Sequence, residues 1–407
     1  MSYSLTQIRS WSAGAVTALG TNFAANINSA GVKAMTSTQI KALTSTQLNG
    51  LGSAAMQQLK VASISTAEIG GLSTTAVGYL SAGQIPALTT DQMVQMLDTQ
   101  INAMSSSQLN ALQIEDINAL SSTAFSGISS AQLNTLTALQ LRGLSTGKLQ
   151  TLTSSQLNNL SSTQLQLLSG NAIQNLLTTQ VNKLSSTQVI NLTSTQVKAL
   201  TSSQINALTS TELQAIETAD LQAMSVDQIS AISTSQITNL STGQMAALTK
   251  TQVQALGSTQ LNTLSSSQLR AIDTADLQGL NTSQVNALSS TQLGVLTSSQ
   301  LQALSPSQAR ALNLSNLGST QIALISSTQA KALDASQINA ISGSTAILTQ
   351  LTTGNIQSLS GDTIGTLSSS VLNNLNSSQV RALSSTQVRS LTSTQLGQLS
   401  STQLGYL

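Results

Sequence analysis

The sequence predicts an all-α protein, a solenoid of very short capped helices with an 8-residue repeat. Three observations predict this fold. An apolar residue returns every eight positions, a Ser/Thr and Gln pair recurs at fixed spacing inside each octad, and acidic and basic residues occupy opposite ends of the octad. The segment SLTSTQLGQLSSTQLGYL, which ends at Leu407, shows the repeat in its most regular form.

The octad frame covers nearly the whole chain. Position 1 is the apolar residue before the Ser/Thr pair, as at Leu383, and the frame holds over residues 3–59, 72–312, 317–341 and 351–407. Eight residues overshoot two helical turns by about 80°, so a continuous helix would lose its apolar stripe. A straight strand would place positions 1 and 6 on opposite faces. The chain therefore turns once in every octad.

The polar residues of the octad predict where each helix begins. Ser or Thr at position 2 with Gln, Glu or Asp at position 5 matches the capping box, and the apolar residues at positions 1 and 6 match its hydrophobic staple. Pro306 lies at position 3, the first helical residue, where proline is favoured. Pro86 lies at position 7, inside the predicted helix, so we expect that octad to be distorted or free of α-helix.

The charged residues support the helical interpretation. All 13 Asp and Glu residues lie at positions 2 to 5, and most of the 14 Lys and Arg residues lie at position 7. Acids at the start of a helix and bases at its end stabilise the helix dipole, whereas a strand would not segregate them. Three lysines depart from this pattern: Lys60, Lys148 and Lys250.

Helices of about six residues need neighbours, because nucleation is costly and the staple alone leaves apolar surface exposed. We therefore expect a coil of short helices that stack on one another, with leucines inside and Ser, Thr, Gln and Asn outside. The octad pattern does not fix the number of octads in each coil. Residues 1–34 form degenerate N-terminal octads, a cap or assembly segment. Residues 35–407 form the repeat solenoid, with register breaks near 59–72, 312–317 and 341–351.

The composition argues against several classes of function. The net charge is +1, charged residues make up 7 % of the chain, and His and Cys are absent. A nucleic-acid surface needs clustered Lys and Arg, and a membrane span needs about 20 apolar residues; neither occurs. The N-terminus has no recognisable signal peptide. We expect a protein that is not an enzyme, with no catalytic residues, cofactor or metal.

Two motifs invite a chemical interpretation that the repeat itself explains. The sequence STGK, from Ser145 to Lys148, matches the S-x-x-K of serine acyl enzymes, but its serine and lysine stand at positions 2 and 5 of an octad. Two acid pairs suggest general acid–base work or a cation site. They too occupy positions 2 and 5, so we expect capping roles. The pairs are Glu217 with Asp220 and Asp273 with Asp276.

The two ends of the repeat array are candidates for self-assembly. Solenoids normally close with atypical polar repeats, because an open end exposes core. Here the first octads carry aromatic residues and the last octads remain regular. A head-to-tail contact between copies would build an open filament. The predicted assembly interface comprises Tyr3, Trp11, Phe23, Leu404, Tyr406 and Leu407.

The octads have the consensus Leu-Ser-Ser-Thr-Gln-Leu-Asn-Ala-Leu, which resembles the low-complexity Leu/Ser/Thr/Gln repeats of surface and adhesin-like proteins of Gram-negative bacteria. This resemblance implies an extracellular or cell-surface location, reached without an N-terminal signal peptide. It carries no site residues.

We therefore expect a structural subunit of an extracellular filament, assembled head to tail from copies of this chain, with a role in adhesion or biofilm. A nearly neutral surface rich in hydrogen-bonding side chains suits contact with carbohydrate or other surfaces. The alternative is a monomeric adhesin stalk, or an ice-binding rod with Thr/Ser-rich faces. Recurrent Thr-x-Thr triplets such as Thr36 to Thr38 suggest ice, and strict threonine rows on one face would favour it.

Overall fold

The computed structural model describes residues 2–407, and over those residues the fold is the predicted helical solenoid, with 48 short α-helices, three 3₁₀ turns and no strand. The chain divides into two compact units, Met1–Ala207 and Leu208–Leu407. None of the helices within residues 2–407 combines the length and the apolar character that a membrane crossing requires.

The first unit contains helices α1 to α24, and its two 3₁₀ turns are Val61–Ser63 and Ile85–Ala87. In chain order these helices are Leu5–Ser10, Ala13–Ala18, Asn22–Asn26, Ser29–Ala34, Ser37–Lys41, Ser45–Asn49, Ser53–Met56, Thr66–Ile69, Thr74–Tyr79, Thr90–Val94, Asp98–Asn102, Ser106–Ala111, Ile114–Ala119, Ser122–Ser126, Ser130–Leu133, Ala138–Arg142, Thr146–Thr151, Ser154–Asn158, Ser162–Leu167, Gly170–Gln174, Thr178–Val181, Ser186–Ile190, Ser194–Ala199 and Ser202–Ala207.

The second unit contains helices α25 to α48, and its 3₁₀ turn is Leu314–Asn316. In chain order these helices are Ser210–Ala215, Thr218–Ala223, Val226–Ser230, Thr234–Ile237, Thr242–Ala247, Lys250–Ala255, Ser258–Thr263, Ser266–Ala271, Thr274–Leu277, Thr282–Asn286, Ser290–Val295, Ser298–Ala303, Pro306–Ala311, Ser319–Ile322, Ser327–Ala330, Ala335–Ala340, Thr345–Leu348, Thr353–Ser358, Gly361–Gly365, Ser369–Asn374, Ser377–Arg381, Ser385–Arg389, Ser393–Gln398 and Ser401–Leu404.

The capping box begins most of these helices, as the sequence predicts. At α23 the extended residue Thr193 accepts a hydrogen bond from the Gln196 amide at 3.3 Å, and the Thr193 amide donates to Gln196 Oε1 at 2.9 Å. The helix ends at Ala199, and its C-cap Leu200, with φ −59° and ψ 132°, leaves the helical conformation and turns the chain. A few N-cap positions lack a side-chain acceptor and keep only the glutamine half of the box. They are Leu97, Leu177, Gly257 and Gly318.

The core is built from positions 1 and 6, as expected, but the predicted exposure of glutamine is wrong at position 5. Val197 and Leu200, at positions 6 and 1, are buried, and the same positions supply nearly all of the core. Ser and Thr at positions 2 to 4 lie mostly at the surface. Most position-5 glutamines are buried, as at Gln196 and Gln252, because they hydrogen-bond to a neighbouring coil.

Most helices of the regular stretches pack against the helix three places further along their unit, so about three octads make a coil. Examples are α20 against α23 in the first unit and α29 against α32 in the second. Stacked helices are therefore 24 residues apart in the regular stretches, as the helix starts Thr242 and Ser266 illustrate.

The interruptions occur where the octad frame fails. The 3₁₀ turns Val61–Ser63 and Leu314–Asn316 lie in the breaks at 59–72 and 312–317. Pro86 falls in the 3₁₀ turn Ile85–Ala87, which confirms that its octad forms no α-helix, and Pro306 begins α37 behind its N-cap Ser305.

The acidic residues lie in the first turn or at the N-cap of their helices, as predicted. Two of those at N-cap positions do not accept a capping hydrogen bond. Glu217 and Asp273 occupy N-cap positions and make no side-chain cap hydrogen bond. Capping therefore does not explain these two carboxylates. No group of three or more potential metal-ligating side chains occurs within residues 2–407.

Candidate assembly interface

The position-5 glutamine joins one coil to the coil before it. At Gln252 the side-chain oxygen accepts the Thr249 amide at 3.0 Å, while Nε2 donates to the carbonyls of Leu221 at 2.9 Å and Met224 at 3.0 Å. These carbonyls belong to position 6 of one helix and to position 1 at the following corner. One side chain thus caps its own helix and satisfies two buried carbonyls of the neighbouring coil.

This bridge recurs along both units and forms what we call the glutamine ladder. In the regular stretches the two acceptor carbonyls lie 31 and 28 residues before the glutamine. Gln337, which follows the break at 312–317, instead bonds to carbonyls 28 and 25 residues earlier, still at positions 6 and 1. The acceptors of the ladder are therefore defined by their position in the octad and not by their distance from the glutamine along the sequence. Glutamines bonded to both carbonyls include Gln92, Gln108, Gln140, Gln188, Gln204, Gln244, Gln268, Gln300, Gln379 and Gln403.

Lys148 shows what happens when a charged residue takes the ladder position. Its Nζ donates to the Leu120 carbonyl, the acceptor that a glutamine would use. Burial lowers the pKa of this ammonium group, because the charged form loses hydration. The nearby Ser145 hydroxyl accepts the Lys148 amide at 3.4 Å, an ordinary cap. The STGK segment is thus accounted for as repeat structure.

Carboxylates at the ladder position cannot donate to the carbonyls when ionised. Burial, and then the charge of Glu115, raise the pKa of Asp116. Burial and the Asp273 carboxylate raise the pKa of Asp276, while the positive charge of Lys250 opposes them. Lys250 begins α30, and α33, which carries Asp276, packs against α30. The neighbouring coil therefore explains why this lysine departs from the charge pattern.

Position 7 provides a second set of bonds, directed to the following coil. Asn262 donates to the Ala287 carbonyl at 2.8 Å and accepts the Ser289 amide at 3.0 Å. Arg270 Nε donates to the Val295 carbonyl at 2.8 Å. In each case the carbonyl acceptor lies 25 residues later, at position 8 of the stacked octad.

The predicted N-terminal interface residues form one aromatic cluster. The rings of Tyr3 and Trp11 meet edge to face at 5.0 Å between centroids, and the Trp11 and Phe23 centroids are 6.4 Å apart. Tyr3 and Trp11 are half-buried, whereas Phe23 is 0 % exposed and supports the cluster from inside. Leu5 lies near them in sequence and is exposed.

The predicted C-terminal residues lie on an incompletely covered end of the second unit. Leu404 is 46 % and Leu407 is 41 % exposed, whereas Tyr406 is half-buried with its ring 4.5 Å from Arg381 Cζ. Position-6 residues are buried up to Val380 and then become accessible on the last three helices. We call this surface, formed by Val388, Leu396 and Leu404, the C-terminal face.

Comparison with known proteins supports the repeat architecture. The family model described as the ALTTAQ repeat matches residues 61–97, 213–250, 269–306 and 372–407. The chain is a repeat-containing protein. A comparison with curated proteins finds no match.

Two solved structures are distantly similar to this chain. The leucine-rich repeat-containing protein LegL7 from Legionella pneumophila is 17 % identical, over 61 % of this chain and 79 % of its own, with a TM-score of 0.18. A homology model of the full-length AP-3 complex is 12 % identical over 99 % of this chain and 82 % of its own, with a TM-score of 0.24. These scores carry no argument about the function of the repeat.

The ladder was not predicted from the sequence. The capping box alone accounts for a polar residue at position 5, and it accepts Glu as readily as Gln. The overwhelming use of Gln over Glu at this position was the available clue, because an amide both accepts the cap bond and donates to a carbonyl, whereas an ionised carboxylate can only accept.

Proposed function

We propose that this protein is a structural subunit of an extracellular filament, in which copies join head to tail, and that it acts without catalysis. The observation that carries the proposal is the C-terminal face. Its three apolar side chains occupy a position that, in the preceding octads of the second unit, is covered by the next coil. A coil from another copy supplies the same kind of cover.

The first coil also supports this proposal, because it carries exposed apolar surface of its own. Leu5 and the half-buried rings of Tyr3 and Trp11 offer apolar surface for burial against such a face. Repeating one heterologous contact generates an open filament. With a net charge of +1 and few charged groups, copies repel one another only weakly. Adhesion or contact with carbohydrate is consistent with the Ser/Thr-rich surface.

Ice binding has weaker support, because threonine does not form strict rows. Along the stacked helices α26, α29, α32 and α35, position 4 is exposed and reads Ala219, Gly243, Ser267 and Thr291. A monomeric adhesin stalk therefore stands as the main alternative to the filament.

Electron microscopy of the purified chain at micromolar concentration tests the proposal. The unaltered protein should form long fibres, whereas a variant with Val388, Leu396 and Leu404 all changed to Ser should remain as single particles. The matched control is Leu139→Ser, which changes a leucine that is 81 % exposed on the side of the first unit. Single particles from the unaltered protein would contradict the filament and leave the stalk.

A further inference from the structure

The two ends differ in their capacity to continue the glutamine ladder. The last ladder glutamine, Gln403, bonds to the carbonyls of Leu372 and Leu375. No glutamine within residues 2–407 reaches the next pair of carbonyls, those of Val380 and Leu383. Continuing the ladder there needs one further donor amide.

The first octad holds such an amide. Gln7 lies at position 5, is exposed, and accepts the Ser4 amide through Oε1 at 2.8 Å, so its cap is already formed. Its Nε2 has no preceding coil within residues 2–407 to bond. The next three position-5 residues cannot donate through a side chain. They are Ala15, Phe23 and Gly31.

Octad spacing places this donor opposite those acceptors. When Ser4 of one copy takes the octad position after Leu407 of another, with Tyr3 displacing Leu407 from position 1, Gln7 stands 31 positions after Val380 and 28 after Leu383. These are the two ladder spacings of the regular stretches. The same frame stacks α1 on α46, α2 on α47 and α3 on α48. Each helix of the first coil then covers one residue of the C-terminal face.

A second contact follows from position 7. Arg389 is exposed at the end of α46, at the octad position from which Arg270 donates to a carbonyl 25 residues later. In the shared frame, the residue 25 places after Arg389 is Ser10 of the next copy. Each end therefore offers one donor: Gln7 donates from the second copy to the first, and Arg389 donates from the first copy to the second.

We infer that a second copy of this chain docks on the C-terminal face in this register, with Gln7 donating to Val380 and Leu383 and Arg389 donating to Ser10. This inference rests on the proposed filament and adds the residues that align its subunits. Apolar contact supplies most of the buried surface, and the two donors select one register among octad-spaced alternatives.

Critical concentrations for assembly, measured by sedimentation, test the register. Gln7→Glu keeps the cap acceptor but removes the donor, and Arg389→Ala removes the second donor. Arg389→Ala loses one bond and should raise the critical concentration about tenfold, which corresponds to about 1.4 kcal/mol, whereas Gln7→Glu loses two bonds and should raise it about 100-fold. Arg389→Gln should assemble like the unaltered protein, because Gln150 and Gln214 make the equivalent bond from position 7. The matched controls are Gln95→Glu and Arg142→Ala, both exposed and away from the ends.

Cross-linking locates the joint directly. The chain has no cysteine, so Arg389→Cys and Ser10→Cys variants mixed together can be joined only between copies. A short bismaleimide should join this pair and not Arg389→Cys with Ala18→Cys. If filaments form and neither Gln7→Glu nor Arg389→Ala changes their critical concentration, the register is wrong, although head-to-tail assembly is still supported. Absence of both filaments and cross-links would overturn the two together.

Discussion

Removing one interior rung of the glutamine ladder should open the chain locally. Gln252 is 2 % exposed and makes three bonds of 3.0 Å or less: one from the Thr249 amide and two to the Leu221 and Met224 carbonyls. Gln252→Ala deletes all three and removes the side-chain donor from the carbonyls of the buried residues Leu221 and Met224. At about 1 kcal/mol for each bond, the local cost is about 3 kcal/mol. Gln254→Ala, on the exposed face of the same helix, should stay within about 0.5 kcal/mol.

Hydrogen exchange is the appropriate assay, because repeat proteins open in segments and a single global transition averages over them. The Thr249 amide reports directly, since its partner is Gln252 Oε1. About 3 kcal/mol corresponds to exchange roughly 100-fold faster at Thr249 in Gln252→Ala than in Gln254→Ala. Equal exchange in the two variants would refute the claim that the ladder stabilises the joint between coils.

Four further substitutions test the ladder, the caps and the aromatic cluster. Asp116→Asn should stabilise the protein by about 1 kcal/mol at pH 7, measured by urea denaturation. Because the pKa of Asp116 is raised in the folded state, its protonated carboxyl stabilises the fold below the unfolded pKa of about 3.9, and this stabilisation is lost as pH rises through the folded pKa. The advantage of Asp116→Asn over the unaltered protein should therefore vanish in acid. Asp334→Asn should behave oppositely, because hydrogen bonding lowers the pKa of Asp334; its stabilisation is present above the unfolded pKa and disappears as pH falls through the folded pKa. Lys148→Gln should raise the melting temperature by restoring a neutral ladder donor at a gain of about 1 kcal/mol. Phe23→Ala should cost about 3–5 kcal/mol and expose the first helices to limited proteolysis, while Leu139→Ala should change neither measurement.

Local chemistry explains how much of the fold was predictable. The cap at Thr193, the start of α37 at Pro306 and the loss of α-helix at Pro86 depend on residues within one octad, and all three predictions are confirmed. Helix position and core positions follow from the same short-range pattern.

Contacts between coils were harder to predict, because their partners are far apart in sequence. The place of Lys250 near the start of its helix is not explained by its own octad. Its positive charge acts on Asp276 of α33, which packs against α30. Gln252 and Leu221 are 31 residues apart, and the octad alone does not say which earlier octad faces which. The exposed residues of the C-terminal face likewise follow from stacking, whereas the frame treats Leu404 and Leu261 as equivalent.

The acceptors of the ladder are set by their position in the octad and not by a fixed distance along the sequence. This has a consequence for how the coding sequence can change length. Gaining or losing one octad moves every later helix to the next stack, yet each glutamine still finds position 6 and position 1 carbonyls, because all regular octads present the same groups. Slippage by 24 nucleotides in the coding sequence is therefore structurally neutral at almost any point. A patterned surface row along one stack would be scrambled by the same event. Heritable length variation is thus compatible with a role that depends on reach and packing, and incompatible with a recognition surface that spans many coils.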